Sequence, residues 1–318
     1  MNYFITGGAG FIGSSMADEL AKDTHNHVTI YDNMSTGYEE FIFGLRSKEN
    51  VTVIFGDVLD ENKLIESMKG SDFVFHFAAN ADVRFGLNHP RKDLEQNTIA
   101  TFNVLEAMRA NGVSKIAFSS TGSVYGEAQK IPTPEDCPFP VQTSLYASSK
   151  LAGEALISSY CEGFGFTGYI FRFVSILGQR YTHGHVFDFY RQLMENDKEL
   201  KVLGNGKQRK SYLYIGDCIN AILTALRAKS SGVNIYNLGT DEYCEVNQSI
   251  GWICEYLGFR PQLIYSGGER GWVGDNPFIF LDCSKIKGLG WSAEYTIKDS
   301  VIKTVQFIES NKWIYEKR

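Results

Sequence analysis

The segment Thr6-Gly7-Gly8-Ala9-Gly10-Phe11-Ile12-Gly13 decides how the first part of this chain folds. It follows the short apolar run 2–5 and precedes residues 14–22, whose apolar side chains recur at helical spacing. A second apolar run, 28–32, ends on the carboxylate of Asp32. Strand, glycine turn, helix, strand and acid in this order are typical of a site that binds a dinucleotide.

Each part of this segment has a physical reason to be there. Glycine allows a tight turn and lets the backbone approach a pyrophosphate closely, and a helix that begins near Phe11 points its free N–H groups and positive dipole end at the phosphates. Asp32 can accept two hydrogen bonds from an adenosine ribose and would repel a 2′-phosphate, which favours NAD over NADP. Alternatively, the glycines only permit close packing of helix on strand. The candidate residues of the turn are Gly7, Gly10, Phe11, Ile12 and Gly13.

Composition excludes several classes of protein. Of 318 residues, 43% are hydrophobic and 21% charged, and the net charge of −6 argues against a nucleic-acid or anionic-membrane partner. No apolar run approaches the ~18 residues of a membrane span. The chain begins directly with a predicted strand, so we expect no signal peptide and a cytoplasmic location. The six scattered cysteines are expected to be free thiols, and neither they nor the six histidines indicate a metal site.

Strands and helices alternate through the first part of the chain. Predicted strands at 51–55, 72–79, 115–119 and 167–173 are separated by predicted helices at 61–68 and 90–111, and a further helix covers 144–161. Without hairpin signals, this pattern predicts an α/β fold with a doubly wound parallel sheet.

The pattern becomes mixed after Phe173, where helices, short extended runs and turns follow one another. We therefore predict a dinucleotide-binding domain over 1–175, rejoined by about 211–240, and a smaller mixed α/β lobe over 176–318, interleaved with the first. A cleft between two such lobes is the natural place for a second ligand.

Tyr146 and Lys150 stand four residues apart at the start of a predicted helix and therefore share one face. An ammonium beside a phenol lowers the phenol's pKa toward working pH, so that Tyr146 could take a proton from a sugar hydroxyl as hydride leaves the carbon. The hydroxyl-rich run 118–126 follows a predicted parallel strand, whose carboxyl end faces the ligand crevice. The alternatives are a surface pair without a role and a run that only turns the chain.

Together these motifs resemble the extended short-chain dehydrogenase/reductases, which have a Rossmann-type sheet, and within them the NAD-dependent nucleotide-sugar epimerase/dehydratase branch, most closely its UDP-glucose 4-epimerases. The resemblance covers the whole chain. It is carried by Thr6–Gly13, Asp57-Val58, Phe77-Ala78-Ala79, Asn97, the Ser119–Gly126 run, Tyr146-xxx-Lys150, 183–189 and 204–214.

The resemblance implies roles by position. Tyr146 would be the general base, Lys150 would lower its pKa and hold the nicotinamide ribose, Thr121 would be the active-site hydroxyl, and Asn97 would face the cleft. The implied NAD-binding residues are Gly7, Gly10, Phe11, Ile12, Gly13, Asp32, Asn33, Ser35, Thr36, Asp57, Val58, Phe77, Ala78, Ala79, Asn97, Ser119, Tyr146 and Lys150. The implied substrate-binding residues are Arg84, Thr121, Ser175, Val186, Arg209, Lys210, Arg270 and Asp275, among which the cations would grip a pyrophosphate.

Missing carboxylates separate the branches of the family. The family's 4,6-dehydratases carry an Asp-Glu pair after the active-site threonine, whereas this chain has Gly122-Ser123. Elimination needs a positioned acid and base, so the resemblance implies a 4-epimerase of a nucleotide hexose, with UDP-glucose and UDP-galactose as the expected pair. A dehydrogenase or reductase of a dTDP-, CDP- or GDP-linked sugar and a non-catalytic nucleotide sensor are the alternatives.

Two further expectations follow from the resemblance. Ser175 stands where the family commonly has an asparagine that contacts the sugar phosphate, which puts the identity of the substrate in doubt, and Ile279 occupies the position that often governs tolerance for an N-acetyl group. The long helices at 91–111 and 144–161 are those through which the family usually dimerises, so a homodimer is expected.

Overall fold

The predicted alternation builds one seven-stranded sheet in this computed structural model, which describes residues 1–81, 88–139, 141–271, 276 and 278–317. The sheet order is β3-β2-β1-β4-β5-β6-β11, and β1 runs parallel to both β2 and β4. The predicted Rossmann-type α/β fold is thereby confirmed. Its strands are β1 (Asn2–Thr6), β2 (His27–Asp32), β3 (Val51–Phe55), β4 (Phe73–His76), β5 (Lys115–Thr121), β6 (Thr167–Phe173) and β11 (Val233–Leu238).

Helices accompany the sheet at the places where apolar residues recur at helical spacing. They are α1 (Phe11–Leu20), α2 (Glu39–Arg46), α3 (Glu61–Ser67), α4 (Pro90–Asp93), a π-helix (Leu94–Ile99), α5 (Ala100–Ala110), a 3-10 helix (Gly122–Tyr125) and α6 (Leu145–Phe164). The start of α6 is capped by Ser144, whose Oγ accepts the N–H of Ala147 at 3.1 Å. Its end is Gly165 at φ 70°, a left-handed conformation that glycine adopts readily.

The structure corrects four details of the predicted elements. The strand predicted over 72–79 ends at His76, and the helix predicted over 90–111 is interrupted by the π-helix. Helical spacing places Ile99 and Phe102 on the apolar side of that helix, yet they are 39% and 43% exposed. The side that faces the core already consists of buried residues such as Val104, Leu105 and Met108, so these two side chains lie elsewhere on the helix surface. Helix α2 was not predicted.

Shorter elements make up the later part of the chain. Its strands are β7 (Ser175–Leu177), β8 (Glu199–Val202), β9 (Arg209–Lys210), β10 (Tyr212–Tyr214), β12 (Cys244–Glu245), β13 (Gln262–Tyr265) and β14 (Phe278–Ile279). Its helices are α7 (His185–Glu195), α8 (Ile215–Arg227), α9 (Val246–Leu257), α10 (Ser284–Lys287), α11 (Ile297–Ser310) and α12 (Trp313–Lys317). The described residues of this part form three small sheets: β10 with β7, β13 with β8, and β9 between β12 and β14.

The chain divides into two compact units. The first contains Met1–Val124, Ser144–Arg172 and Ile222–Tyr236, and the second contains Tyr125–Thr143, Phe173–Ala221 and Asn237–Arg318. Residues 125–143, which the predicted boundary at 175 places in the first domain, belong to the second unit. Two hydrogen bonds with Asn237 hold them there. The Tyr125 hydroxyl donates to the side-chain oxygen of Asn237 at 2.8 Å, and the side-chain nitrogen of Asn237 donates to the carbonyl of Thr133 at 2.8 Å. What each unit binds stays a prediction.

None of the helices in the described ranges is both long and apolar enough to cross a membrane.

Candidate active site

The glycine turn between β1 and α1 leaves no room for side chains. Gly7 has φ +68°, and a Cβ added there would lie 2.6 Å from the backbone nitrogen of Ala78. A Cβ on Gly13 would lie 2.1 Å from the carbonyl oxygen of Gly7. Gly10 precedes α1 without a side-chain cap, and the first turn of that helix, with Phe11 and Ile12, carries no acidic residue. Its free N–H groups therefore suit a pyrophosphate, so this observation fits a dinucleotide.

Asp32 at the end of β2 is 8% exposed and already accepts two backbone hydrogen bonds, from Ala9 at 2.9 Å and from Met34 at 2.8 Å. Burial raises the pKa of this carboxyl, and the two N–H donors oppose that shift. Because a carboxylate has about four acceptor positions, Asp32 keeps capacity for the ribose hydroxyls. Its fixed orientation is what a ribose-binding acid needs.

The neighbouring adenosine candidates form a small hydrogen-bonded group. The Asn33 side chain donates to Asp57 at 2.8 Å and accepts the N–H of Ser35 at 2.9 Å. Ser35 and Thr36 are exposed, while the Val58 side chain is buried in the core, so any contact of Val58 with adenine would come from its backbone.

Asn97 lies on the π-helix and is enclosed at 1% exposure. Its Oδ1 accepts the N–H of Asn80 at 2.9 Å, and its Nδ2 donates to Ser149 Oγ at 2.9 Å. The Ser149 hydroxyl in turn donates to the backbone carbonyl of Tyr146 at 2.8 Å. The amide of Asn97 is thus bonded at both ends, and its expected place facing the cleft stays a prediction. The cofactor candidates Phe77, Ala78 and Ala79 lie just after β4 and are half-buried.

The fold of the first unit brings the side chains of Tyr146 and Thr121 into a hydrogen bond. Burial raises the pKa of Tyr146 to about 12, the negative charge of Asp93 raises it further, and a hydrogen bond to Thr121 acts in the opposite direction. The expected lowering of this pKa by Lys150 is therefore not what the structure has. Thr121 Oγ1 also accepts the N–H of Ser123 at 3.1 Å.

Lys150 is 2% exposed and donates from Nζ to the backbone carbonyl of Ser119 at 2.8 Å. Its Nζ lies 4.8 Å from the ring centroid of Phe118. Burial lowers the pKa of Lys150 to about 7, while the carboxylates of Glu154 and Asp93 act to raise it. A lysine poised at this pKa can share or release its charge near neutral pH.

A buried ion pair anchors the helix that carries Tyr146 and Lys150. Arg172 on β6 donates to Glu154 on α6 at 2.7 Å, with side chains 1% and 5% exposed. The Ser120 hydroxyl, on β5, also donates to Glu154. Removing one partner of such a pair costs about 3–5 kcal/mol, since a charge is left buried alone. The ion pair and the Ser120 hydrogen bond therefore tie α6 to β6 and β5.

The predicted substrate residues that the structure describes lie in the second unit, apart from Thr121. Ser175 on β7 is exposed, the Val186 side chain near the start of α7 is buried, and Lys210 on β9 donates to the carbonyl of Asn276 at 2.5 Å. The Arg209 guanidinium stacks 3.9 Å from the ring centroid of Phe278, and Arg270 pairs with Glu127. Arg84 and Asp275 lie outside the described residues.

The glycine turn, the oriented Asp32 and the Thr121, Tyr146 and Lys150 group point to one family. A family model described as the NAD dependent epimerase/dehydratase family matches residues 3–239. The chain belongs to this family.

Characterised relatives of the family align over nearly the whole chain. The UDP-glucose 4-epimerase of Corynebacterium glutamicum is 30% identical over 319 residues, covering 95% of this chain and 94% of that protein. The UDP-glucose 4-epimerase of Thermotoga maritima, solved with UDP-glucose, has a TM-score of 0.86 and 30% identity, covering 98% of this chain and 100% of the other. The UDP-glucuronic acid 4-epimerase of Bacillus cereus, solved with UDP-glucuronic acid and NAD, has a TM-score of 0.90 and 27% identity, covering 98% and 99%.

Membership confirms NAD as the cofactor, as the carboxylate of Asp32 predicted. Several residues around the site were not singled out by sequence: His76, Asp93, Ser149, Glu154 and Arg172. All of them are polar and 6% exposed or less. For His76, the signal that could have found it is a polar residue within an apolar run, Phe73–Ala79.

Proposed function

We propose that this protein catalyses the NAD-dependent 4-epimerisation of a nucleotide hexose, with UDP-glucose and UDP-galactose as the interconverted pair. The observation that carries the proposal is the hydrogen bond between Thr121 and Tyr146. It occurs in a chain of this family that has no carboxylate at positions 122 and 123.

Tyr146 is the proposed proton carrier. Its phenolate form, hydrogen-bonded to Thr121, would accept the proton of the sugar's 4-hydroxyl and later return it. Thr121 shares that proton and stabilises the oxygen as its charge changes. Lys150, one helical turn beyond Tyr146 on the same helix, would hold the nicotinamide ribose. NAD, held at the glycine turn and at Asp32, would supply the hydride acceptor for C4 of the sugar and would return the hydride to the opposite face.

The absence of an acid beside Thr121 supports epimerisation over dehydration. Gly122 has no side chain, and the Ser123 N–H is already bonded to Thr121 Oγ1. Removal of water from the sugar needs a group that donates a proton to the leaving hydroxyl and a base for C5. Oxidation followed by reduction at the same carbon needs neither a proton donor for a leaving hydroxyl nor a base for C5. Because the hydride returns to the sugar, NAD would be regenerated in every cycle.

Cations of the second unit are the proposed partners of the substrate's pyrophosphate. Lys210 lies on β9, in register with Ile279 on β14. Arg270 is held by Glu127 in an exposed pair with side chains 43% and 51% exposed, and such pairs contribute about 0–1 kcal/mol. A pyrophosphate can therefore displace Glu127, since phosphate binds guanidinium in bidentate fashion.

Incubation of the purified protein with UDP-galactose, with UDP-glucose as the monitored product, tests the proposal. We expect conversion without net change in nicotinamide absorbance. Protein that contains NAD but forms no UDP-glucose would contradict this substrate pair. Sustained formation of NADH with another nucleotide sugar would instead identify a dehydrogenase.

A further inference from the structure

His76 is the last residue of β4 and is completely buried within an apolar strand. Both ring nitrogens have a hydroxyl partner: Nδ1 lies 2.8 Å from Thr6 Oγ1, and Nε2 lies 3.0 Å from Thr101 Oγ1. The two threonines belong to different elements, the end of β1 and the start of α5. The imidazole therefore bridges β1 and α5.

The direction of each hydrogen bond follows from the proton count. The Thr101 hydroxyl has one proton, and it donates to the carbonyl of Asn97 at 2.5 Å. Thr101 must then accept from His76, so the ring carries its proton on Nε2. The unprotonated Nδ1 accepts the Thr6 hydroxyl proton, and Thr6 Oγ1 is left to accept the N–H of Ala78 at 3.4 Å.

This chain of hydrogen bonds joins two parts of the proposed site. At one end, Thr6 precedes Gly7 directly, and Ala78 is the residue whose backbone Gly7 approaches. At the other end, Asn97 bonds through Ser149 to the carbonyl of Tyr146. A shift of either end must therefore move the imidazole or break a buried hydrogen bond.

His76 does not change its protonation state near neutral pH, so it does not act as an acid or base there. Burial, with the positive charge of Lys150 as the second cause, lowers the pKa of His76 to about 3. The ring centroid of Phe118 lies 5.6 Å from that of His76 and 4.8 Å from Lys150 Nζ. The aromatic ring thus contacts both groups, and the imidazole stays neutral with one donor and one acceptor.

We propose that His76, in its Nε2–H form, is a positioning residue that couples the cofactor-binding turn to the helix carrying Tyr146. It acts through Thr6 on the turn and through Thr101 and Asn97 on Tyr146. The part that concerns Tyr146 rests on the proposed function, whereas the part that concerns NAD does not.

The tautomer can be measured directly. In protein labelled with ¹⁵N-histidine, we expect His76 to have one protonated and one unprotonated nitrogen, with the proton on Nε2, unchanged between pH 5 and pH 9. A proton on Nδ1, or a ring that gains charge in this range, would overturn the proposal.

The coupling is tested with threonine variants, because replacement of His76 itself could prevent folding. We expect Thr101→Val to accelerate NAD loss from the NAD-loaded protein by about tenfold, although Thr101 is far along the chain from the glycine turn. Thr101→Ser, which keeps the hydroxyl, should restore the original rate. Thr6→Val should have a similar effect, and the double variant should lose NAD hardly faster than either single one, since one break already releases the imidazole.

Two outcomes separate positioning from mere stability. If Thr101→Val lowers the melting temperature but leaves the rate of NAD loss unchanged, His76 has a structural role alone and the proposal fails. Multiplicative effects in the double variant would also overturn it. In the epimerase assay, Thr101→Val should reduce kcat more than it changes KM. If the unchanged protein epimerises no UDP-galactose, the proposed function fails while the tautomer and NAD measurements still decide the coupling.

Discussion

At the scale of single residues, Tyr146 and Lys150 differ from the simple picture of a lysine that lowers the pKa of a tyrosine. The Lys150 ammonium donates to the Ser119 carbonyl. Burial raises the pKa of Tyr146 and lowers the pKa of Lys150. Both shifts favour the neutral forms, because burial penalises charge. A positive cofactor ring near the phenol would oppose the rise in the pKa of Tyr146.

Tyr146→Phe should reduce kcat by about 10²–10⁴-fold, the usual contribution of a positioned acid or base. Phenylalanine keeps the packing of α6, so NAD should still be retained. Tyr160→Phe, which removes the hydroxyl bonded to Glu106 at 2.6 Å farther along the same helix, is the matched control and should keep the activity. An active Tyr146→Phe enzyme would refute the proposed proton carrier.

Asp93→Asn should move the whole pH–rate profile to lower pH. The Asp93 carboxylate raises the pKa of both Tyr146 and Lys150, and an amide of the same shape removes that charge. Both pKa values should then fall, so both limbs of kcat/KM against pH should shift toward acid, whichever group controls each limb. The oxygen of the new amide can still accept the hydrogen bond that Asn80 donates to Asp93 at 2.8 Å.

The control for this charge change is Glu66→Gln, in an exposed pair with Lys69 on the surface of the same unit. Its pH profile should equal that of the unchanged protein. A profile of Asp93→Asn that stays in place, or moves toward alkali, would disprove the electrostatic role of Asp93.

At the scale of elements, the site depends on how closely the glycine turn packs. Gly13 on α1 contacts the carbonyl of Gly7, and Gly7 in turn contacts the backbone after β4. The neighbours are backbone atoms, which cannot rotate away from an added methyl group. The π-helix between α4 and α5 also contributes to the site, because it carries the Asn97 side chain that bonds Asn80 and Ser149.

Gly13→Ala should therefore abolish NAD retention and lower the melting temperature, since its Cβ would lie 2.1 Å from an oxygen that must move. Gly44→Ala is the matched control, because nothing lies within 4 Å of the added Cβ in α2. That variant should gain about 0.5–1 kcal/mol in free energy of unfolding and bind NAD normally. Normal NAD content in Gly13→Ala would contradict the packing argument.

At the scale of the whole molecule, apolar side chains remain uncovered on the π-helix, α5 and α6 of the first unit. They are Leu94, Ile99, Phe102, Leu145 and Phe164, all between 39% and 56% exposed. The Arg109 guanidinium lies 5.7 Å from the ring centroid of Phe164, which adds a polar edge to this surface. These are the helices through which the family resemblance predicts a homodimer, so we propose a second copy of the chain as their partner.

Phe102→Glu should convert the dimer to a monomer, as measured by light scattering after gel filtration, because a charge would be buried in an apolar interface. Phe43→Glu, at a 79% exposed position on α2, is the matched control and should leave the mass unchanged. If the unchanged protein is monomeric, or if Phe102→Glu remains dimeric, the proposed interface is wrong.

Local sequence determined the parallel sheet, the NAD preference and the placement of Tyr146 and Lys150 four residues apart on one helix. These features depend on residues close together along the chain: glycines spaced around a helix start, an acid at a strand end, and two side chains one helical turn apart. The role of Thr121 as the active-site hydroxyl was predicted from the family motif, in which a strand, a hydroxyl residue and a helix follow one another in this order.

Tertiary structure alone decided which protonation states the site has and what holds its residues. The pKa of Tyr146 depends on burial and on Asp93, which is distant in the chain, and the bridge from Thr6 through His76 to Thr101 joins three elements. Apolar periodicity identifies a buried strand but not the partner of a histidine within it. Hydrogen bonds between distant residues and the cost of burying charge arise only when the chain packs, which is why His76 read as one more residue of a strand until its neighbours were known.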